Sequence, residues 1–389
     1  MRNIIFLGLV SFFTDLSTEM VYPLIPLYLT SAFGATPAIV GIIEGIAESL
    51  ASLLKVFSGY ISDRFQKKKA LAFFGYATGL IYKIVLLAAG SWVGVLTARV
   101  IDRLGKGIRT SPRDVLVSES ADKSAMGKSF GVHKALDMAG AALGILITFF
   151  LLRNDGDYAY SKIFMLSIIP AVLGLCMFFF IKEKKTDLPQ KTREPFWKNM
   201  KKIDNQLKLY LAVVCLFTLG NSSNSFLLLK AKATGFTDRN VILLYFLYNI
   251  TASILSIPFG KLSDKVGRKK LLVSGYAVFA VCYLGFAFSN GQAQMMVVFI
   301  LYGAYTAMVA GVERAFVAEI APGELKGTML GLHSTVTGIA LLPASIIAGM
   351  LWNRFGAMMP FVFGSVMALI AATILFFFMG NGRETVNQS

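Results

Sequence analysis

The chain has 389 residues, 56% of them hydrophobic, and a mean hydropathy of +0.65, which excludes an ordinary water-soluble domain. Its formal charge is +16, from 38 basic and 22 acidic side chains. The basic residues gather in loops between apolar runs, as the cytoplasmic loops of a multi-pass membrane protein require, so nucleic acid is not an expected partner. Cys176, Cys215 and Cys282 all fall inside apolar runs, which implies neither a disulfide framework nor a zinc site, and no cofactor or metal is expected.

Arg2 and the hydrophobic run after it resemble a signal peptide only superficially. The run carries Asp15, Glu19 and Pro23 and continues too far, so it reads as an uncleaved first membrane helix. A spanning helix needs about 20 mostly apolar residues. That ruler places twelve helices near 4–31, 36–60, 70–90, 92–112, 126–151, 160–181, 207–231, 237–260, 271–289, 293–313, 327–351 and 357–379. The expected fold is an all-α membrane protein of two pseudo-symmetric six-helix bundles, 1–181 and 207–380. A charged linker at 182–206, with Pro189 and Pro195, joins them, and a short polar tail covers 381–389. The basic loops all fall on one side, which predicts both termini in the cytoplasm and a place in the inner membrane. The lipid bilayer is the expected surrounding and a monomer the expected state.

A short basic loop occurs twice. Gly59-Tyr60-Ile61-Ser62-Asp63-Arg64-Phe65-Gln66-Lys67-Lys68-Lys69 returns as Gly260-Lys261-Leu262-Ser263-Asp264-Lys265-Val266-Gly267-Arg268-Lys269-Lys270, and 264 minus 63 gives an offset of 201. The Asp of each copy is expected to end a helix. The repeat extends to Gly34 and Gly235, Arg113 and Arg314, and, at offset 200, His133 and His333. The loop resembles the motif G-x-x-x-D-R/K-x-G-R/K-R/K of the major facilitator superfamily of secondary transporters. The second copy matches fully, while the first has Gln66 where the family usually has Gly. The resemblance covers essentially the whole chain and implies alternating access by a twelve-helix transporter. Asp63, Arg64, Arg113, Asp264, Arg268 and Arg314 become the expected cytoplasmic gate, with Asp63 pairing Arg113 and Asp264 pairing Arg314.

The two halves differ in charge. Glu44 faces Tyr245, Glu48 faces Asn249, Lys55 faces Ser256, Lys83 faces Tyr283, Lys134 faces Ser334 and Asp137 faces Thr337 across the repeat. A charge inside a bilayer needs a partner or a water-filled cavity. Asp15, Glu19, Glu44, Glu48 and Asp137 are therefore candidates for proton handling; the alternative for each is a structural ion pair with Lys55, Lys83, Lys134 or Arg103. Residue counting puts Asp15, Glu48 and Asp137 near mid-membrane, and Glu48 and Asp137, if close together, would titrate as a coupled unit. The histidines, at repeat-related places, read first as packing or hydrogen-bonding residues, although His133 has charged neighbours.

Glu19-Met20-Val21-Tyr22-Pro23 followed by Pro26 resembles the acidic-residue-to-proline stretch of drug:proton antiporters in the superfamily, which implies a protonation or cation-recognition role for Glu19. Gly131, Gly140 and Gly144 resemble part of a glycine motif of its exporters, departing from it at Ile145; helix packing is the simpler reading. Arg99 fits the superfamily's helix 4 arginine, but Arg103 stands where that motif usually has Gly. Asn221-Ser222-Ser223-Asn224-Ser225 should loosen the seventh helix beside a cavity. His133, Lys134, Arg103, Asn221, Asn224, Tyr245 and Asn249 are the candidate substrate contacts. The expected function is proton-coupled efflux of a small organic molecule, with an importer or uniporter of an organic anion as the alternative. An enzyme or sensor is disfavoured, since no nucleophile–base pair is evident.

Overall fold

The structure is a computed structural model that describes residues 2–65, 68–120, 126–152, 157–183, 205–321 and 326–379, with the side chains of 55–65, 126–128, 157–158 and 326–328 outside that description. Most of the expected linker, the polar tail 381–389, Gln66 and Lys67 also lie outside it.

Among the described residues the chain crosses twelve times. The first half holds α1 (Arg2–Glu19), α2 (Ile25–Phe33), α3 (Pro37–Phe65), α4 (Lys68–Leu87), α5 (Trp92–Ser120), α6 (Met126–Leu151), α7 (Asp157–Leu166) and α8 (Ile168–Met177). The second holds α9 (Asn205–Gly220), α10 (Ser225–Ala233), α11 (Asp238–Val266), α12 (Arg268–Phe288), α13 (Gln292–Ile320), α14 (Lys326–Phe355) and α15 (Met359–Phe378). The pairs α1/α2, α7/α8 and α9/α10 are each one crossing with a break. At the first break Pro23, which has no N–H to give, sits in a 3-10 turn at Tyr22–Leu24. At the third, Asn221 to Asn224 leave the helix, and Ser223 Oγ accepts the Ser225 N–H at 3.2 Å in place of a helical bond.

Eleven crossings are apolar enough to span a membrane by composition alone. The twelfth, α5, is not, because it carries Arg99, Asp102, Arg103, Lys106 and Arg109. Its polar stripe is turned inward: Arg99, Asp102, Arg103 and Arg109 are all buried. The opposite situation holds at Phe150, Phe179 and Phe377, which are exposed, as only a hydrocarbon surrounding favours.

Helix ends differ from the expectation. The helices α3, α5, α11 and α13 each run 29 residues. At about 1.5 Å per residue that is longer than the roughly 30 Å hydrocarbon layer. Asp63 and Asp264 therefore lie within helices and do not end them, and the turn after the second is made by Gly267 at φ +96°. The two repeats are fastened alike at the same ends of their helices. Lys68 pairs with Glu119, and at offset 200 Arg268 pairs with Glu319 at 2.8 Å, so α4 is tied to α5 and α12 to α13.

The helices form two compact units. One comprises Met1–Ala35, Ile46–Arg193 and Thr237–Phe246; the other comprises Thr36–Gly45, Glu194–Phe236 and Leu247–Ser389. The start of α3 thus groups with the second half and the start of α11 with the first. Subtraction gives 201 at both limits (237 minus 36, 246 minus 45), so the exchange follows the repeat. In the first unit α1 packs on α6 and α8, with Ser17 Oγ donating to the Ser167 carbonyl at 2.5 Å. In the second unit α12 packs on α13 and α15, and Ser365 Oγ donates to the Ala280 carbonyl at 2.9 Å.

The α1–α6 approach depends on two glycines. A Cβ on Gly140 would strike the Phe12 carbonyl and one on Gly144 the Leu16 carbonyl, both main-chain atoms that cannot swing aside. Gly131 has open space around it, so only two of the three glycines singled out in the sequence are needed for packing. We expect Gly140→Val and Gly144→Val each to destabilise by about 1–3 kcal/mol or more, as overpacking does. Thermal unfolding of purified protein checks this: both melt earlier than wild type, whereas Gly131→Ala does not.

Candidate functional site

Helical spacing puts Arg99, Arg103 and Lys106 on successive turns of one face of α5. Acids from neighbouring helices meet this stripe in the first unit. Arg103 Nη2 lies 2.8 Å from Glu48 Oε1 on α3, and Arg99 Nη2 lies 3.8 Å from the same oxygen. Asp102 adds contacts of 3.6 Å to Arg99 and 3.7 Å to Arg103. Two guanidiniums and two carboxylates balance, which is the condition for holding such charges out of water. The Tyr22 ring lies against both guanidiniums, 5.1 Å from Arg99 and 5.5 Å from Arg103, a cation–π contact made possible by the break after α1.

Asp15 and Glu19, one turn apart on α1, meet different partners. The Asp15 carboxyl lies beside the Asp137 carboxyl of α6, and Lys134 Nζ holds Asp137 at 2.5 Å. A carboxyl–carboxyl hydrogen bond needs one proton: one O–H donates and the other oxygen accepts. Glu19 accepts from Tyr245 Oη of α11 at 3.2 Å, within the first unit, and the Tyr245 ring lies 6.1 Å from that of Tyr22. Lys106 is the electrostatic neighbour of Asp15, Glu19 and Glu48 together, and it is exposed although it sits midway along α5. The site is thus a half-open cluster of acids in which the Lys106 and Lys134 ammoniums are both exposed.

The remaining sequence candidates are placed as follows. Glu48 and Asp137 do not make the carboxyl couple: Glu48 is taken by the arginines, and the acid that Asp137 meets is Asp15. Glu44 is fully buried on α3, in the segment that groups with the second unit. His133 Nε2 is 3.0 Å from Ser11 Oγ, which is itself 3.3 Å from Tyr76 Oη, in keeping with a hydrogen-bonding role. Lys83 is buried and donates to the Gly79 carbonyl at 3.2 Å. In the second unit Asn221 Nδ2 donates to Tyr305 Oη at 3.1 Å and Tyr302 Oη donates to Asn224 Oδ1 at 2.9 Å. Asn249 is half-buried on α11. Of the gate residues, Asp264 pairs with Arg268 at 3.3 Å, not with Arg314, and Arg113 pairs with Asp114 at 2.8 Å. The side chains of Lys55, Asp63 and Arg64 lie outside those described.

Three residues escaped the sequence reading. Asp102 and Lys106 were legible as continuations of the Arg99–Arg103 stripe at helical spacing. Glu313 stood at an expected helix end, whereas α13 runs on to Ile320 and leaves it well inside. Among the described residues no three His, Cys, Asp or Glu side chains are grouped to hold a metal ion.

The model of the Major Facilitator Superfamily matches residues 7–237 and 209–389. An uncharacterised MFS-type transporter of Methanocaldococcus jannaschii is 38% identical over 382 residues, covering 97% of this chain and 94% of that protein. The multidrug resistance protein MdtG of Escherichia coli is 21% identical over 392 residues, covering 96% and 92%. Among solved structures, the POT family transporter PepTSo superposes with a TM-score of 0.82 at 13% identity, covering 100% of this chain and 99% of that one, a likeness of fold.

The Glu48–Arg103 pair has a measurable consequence. Removing one member of a buried pair strands the other, at a cost of about 3–5 kcal/mol. Glu48 keeps 28% of its side chain exposed, which lowers the expectation for Glu48→Gln to about 1–3 kcal/mol. Adding Arg103→Gln should cost less than the sum of the single changes, with a coupling of about 1 kcal/mol or more. Thermal and denaturant unfolding of the four proteins measures that cycle, and strict additivity would contradict the pairing.

Proposed function

Because the chain belongs to the Major Facilitator Superfamily, and is therefore a multi-pass membrane transporter, we propose that it exports a small organic molecule in exchange for protons. The observation that carries this reading is the meeting of Asp15 and Asp137, two carboxyls able to share one exchangeable proton beside a half-open acid cluster. Protonation equilibria of such a pair belong to both groups together. Glu19 supplies the link to transport: its carboxylate accepts from Tyr245 on a helix of the other repeat, so a proton arriving on Glu19 alters a bond between repeats. The distant likeness to multidrug resistance proteins agrees with efflux. In this reading the bundles are 1–181 and 207–380, both termini are cytoplasmic, the inner membrane is its place, and a monomer works alone. The chain transports and does not catalyse.

A second reading, import of an organic anion, draws on the exposed Lys106 ammonium together with Arg103. The two readings differ in the sign of proton movement. Purified protein in liposomes with an acidic lumen, offered the lipophilic cation tetraphenylphosphonium outside, should accumulate it while the lumen becomes more alkaline. Asp15→Asn and Asp137→Asn should each cut gradient-driven accumulation by about tenfold or more, the effect of roughly 1.4 kcal/mol on the coupled step. Uptake of an organic anion accompanied by lumen acidification, with the cation ignored, would favour the second reading instead.

A further inference from the structure

The second unit contains an acid that the proposed exchange does not use. Glu313 lies inside α13, and Tyr276 Oη of α12 donates to its Oε1 at 2.8 Å. Its other oxygen, Oε2, faces His333 Nε2 of α14 at 3.8 Å. His333 is 6% exposed, and its Nε2 has no hydrogen-bond partner among the described residues. Tyr210 of α9 stacks on the imidazole, with centroids 6.4 Å apart and planes at 12°, and Phe217 stacks on Tyr276 at 3.9 Å. The rings fix the direction of both side chains.

The first unit holds the same frame with a different charge. Tyr76 and His133 are the offset-200 equivalents of Tyr276 and His333. There the Tyr76 ring is covered by Arg109, with Cζ at 4.6 Å from its centroid, and His133 Nε2 meets the Ser11 hydroxyl. His133 Nε2 is thus satisfied by a hydroxyl. The unpartnered Nε2 of His333 points at a carboxylate instead. With Glu313 ionised and the imidazole neutral with its proton on Nδ1, two acceptors face each other across 3.8 Å. One proton, on either Nε2 or Oε2, turns that separation into a hydrogen bond, as imidazolium–carboxylate or as carboxylic acid–imidazole.

We propose that Glu313 and His333 form a proton-binding site in the second unit, separate from the carboxyl pair of the first, which holds one proton between Glu313 Oε2 and His333 Nε2. The proton is taken from the aqueous phase and returned to it, and no other bond changes. The groups facing the site are Tyr210 from α9, Tyr276 from α12, His333 from α14, and Tyr305 and Arg314 from α13 itself. Arg314 is the sole fixed cation among these.

The chain has only two histidines, which makes the test direct. Protein labelled with 15N-histidine in lipid nanodiscs shows two imidazoles, told apart by a His133→Asn variant. With no substrate present, the His333 ring nitrogens should titrate with pH. Glu313→Gln should move their midpoint by about one pH unit or more, the equivalent of roughly 1.4 kcal/mol. His133 should be unaffected by that change, and His333 unaffected by Asp15→Asn or Asp137→Asn. If Glu313→Gln does not fold, Tyr276→Phe, which keeps both proton carriers and removes the hydroxyl donor, should also displace the midpoint. A His333 signal indifferent to both variants would overturn the proposal. A midpoint displaced by sodium at constant ionic strength would overturn it too, in favour of a cation site. Neither outcome bears on the transport assay of Asp15 and Asp137, so the two proposals fail separately.

Discussion

The constraint on which this molecule depends is that α5 must carry its charged stripe through a bilayer. No hydrocarbon surrounding tolerates Arg99, Asp102, Arg103, Lys106 and Arg109 unless each meets an opposite charge or water. Much of the first unit answers that demand. Glu48 comes from α3 to the two arginines, Tyr22 turns its ring toward both guanidiniums at the break after α1, and Asp15 and Glu19 of α1 lie around Lys106. The break itself follows from Pro23, so a backbone irregularity that costs hydrogen bonds also positions the aromatic ring. Glu48, Asp102, Arg99 and Arg103 neutralise one another. Asp15, Glu19 and Lys106 are left in a more open place, where their protonation can change. The division between locked and available charge is what distinguishes a structural network from a working one.

Crossings were legible in the sequence because hydropathy and the repeat agree. Even α5, which fails an apolarity criterion, was placed by its position between loops and its match to the other half. The breaks at Tyr22–Leu24 and Asn221–Asn224 were legible too, since proline and a run of small polar residues act on the backbone locally. Helix ends were not. A ruler set by bilayer thickness stops after about 20 residues, whereas α5 and α13 continue to Ser120 and Ile320. That is why Glu313 read as an end residue and was passed over. Partners were also hidden. Residue counting gives depth along a helix but not its rotation, so Glu48 and Asp137 were set together by depth, when rotation gives Glu48 to Arg103 and Asp137 to Asp15 and Lys134.

The repeat shows what was kept and what was altered. Both repeats keep a basic residue on an acid at the same offset, Lys68 on Glu119 and Arg268 on Glu319. These bridges fasten neighbouring helices and are indifferent to what passes between them. The Tyr–His frame is also kept, but its neighbours are not: Arg109 covers Tyr76 and Ser11 meets His133, whereas Glu313 meets Tyr276 and faces His333. A duplicated backbone therefore carries two related pockets with different chemistry.

The exchange of helix starts gives this arrangement a mechanical consequence. Thr237–Phe246 groups with the first unit, although the rest of α11 belongs to the second. Tyr245 lies in that segment, and its hydroxyl donates to Glu19. An ionised Glu19 is a strong acceptor; a protonated one offers a weaker acceptor and a competing donor. The bond that holds α11 to α1 is thus sensitive to a proton on Glu19, with no need for the proton to travel further. The equivalent start of α3, Thr36–Gly45, includes Glu44, which is buried in the second unit. Each half consequently has one helix whose two ends answer to different units.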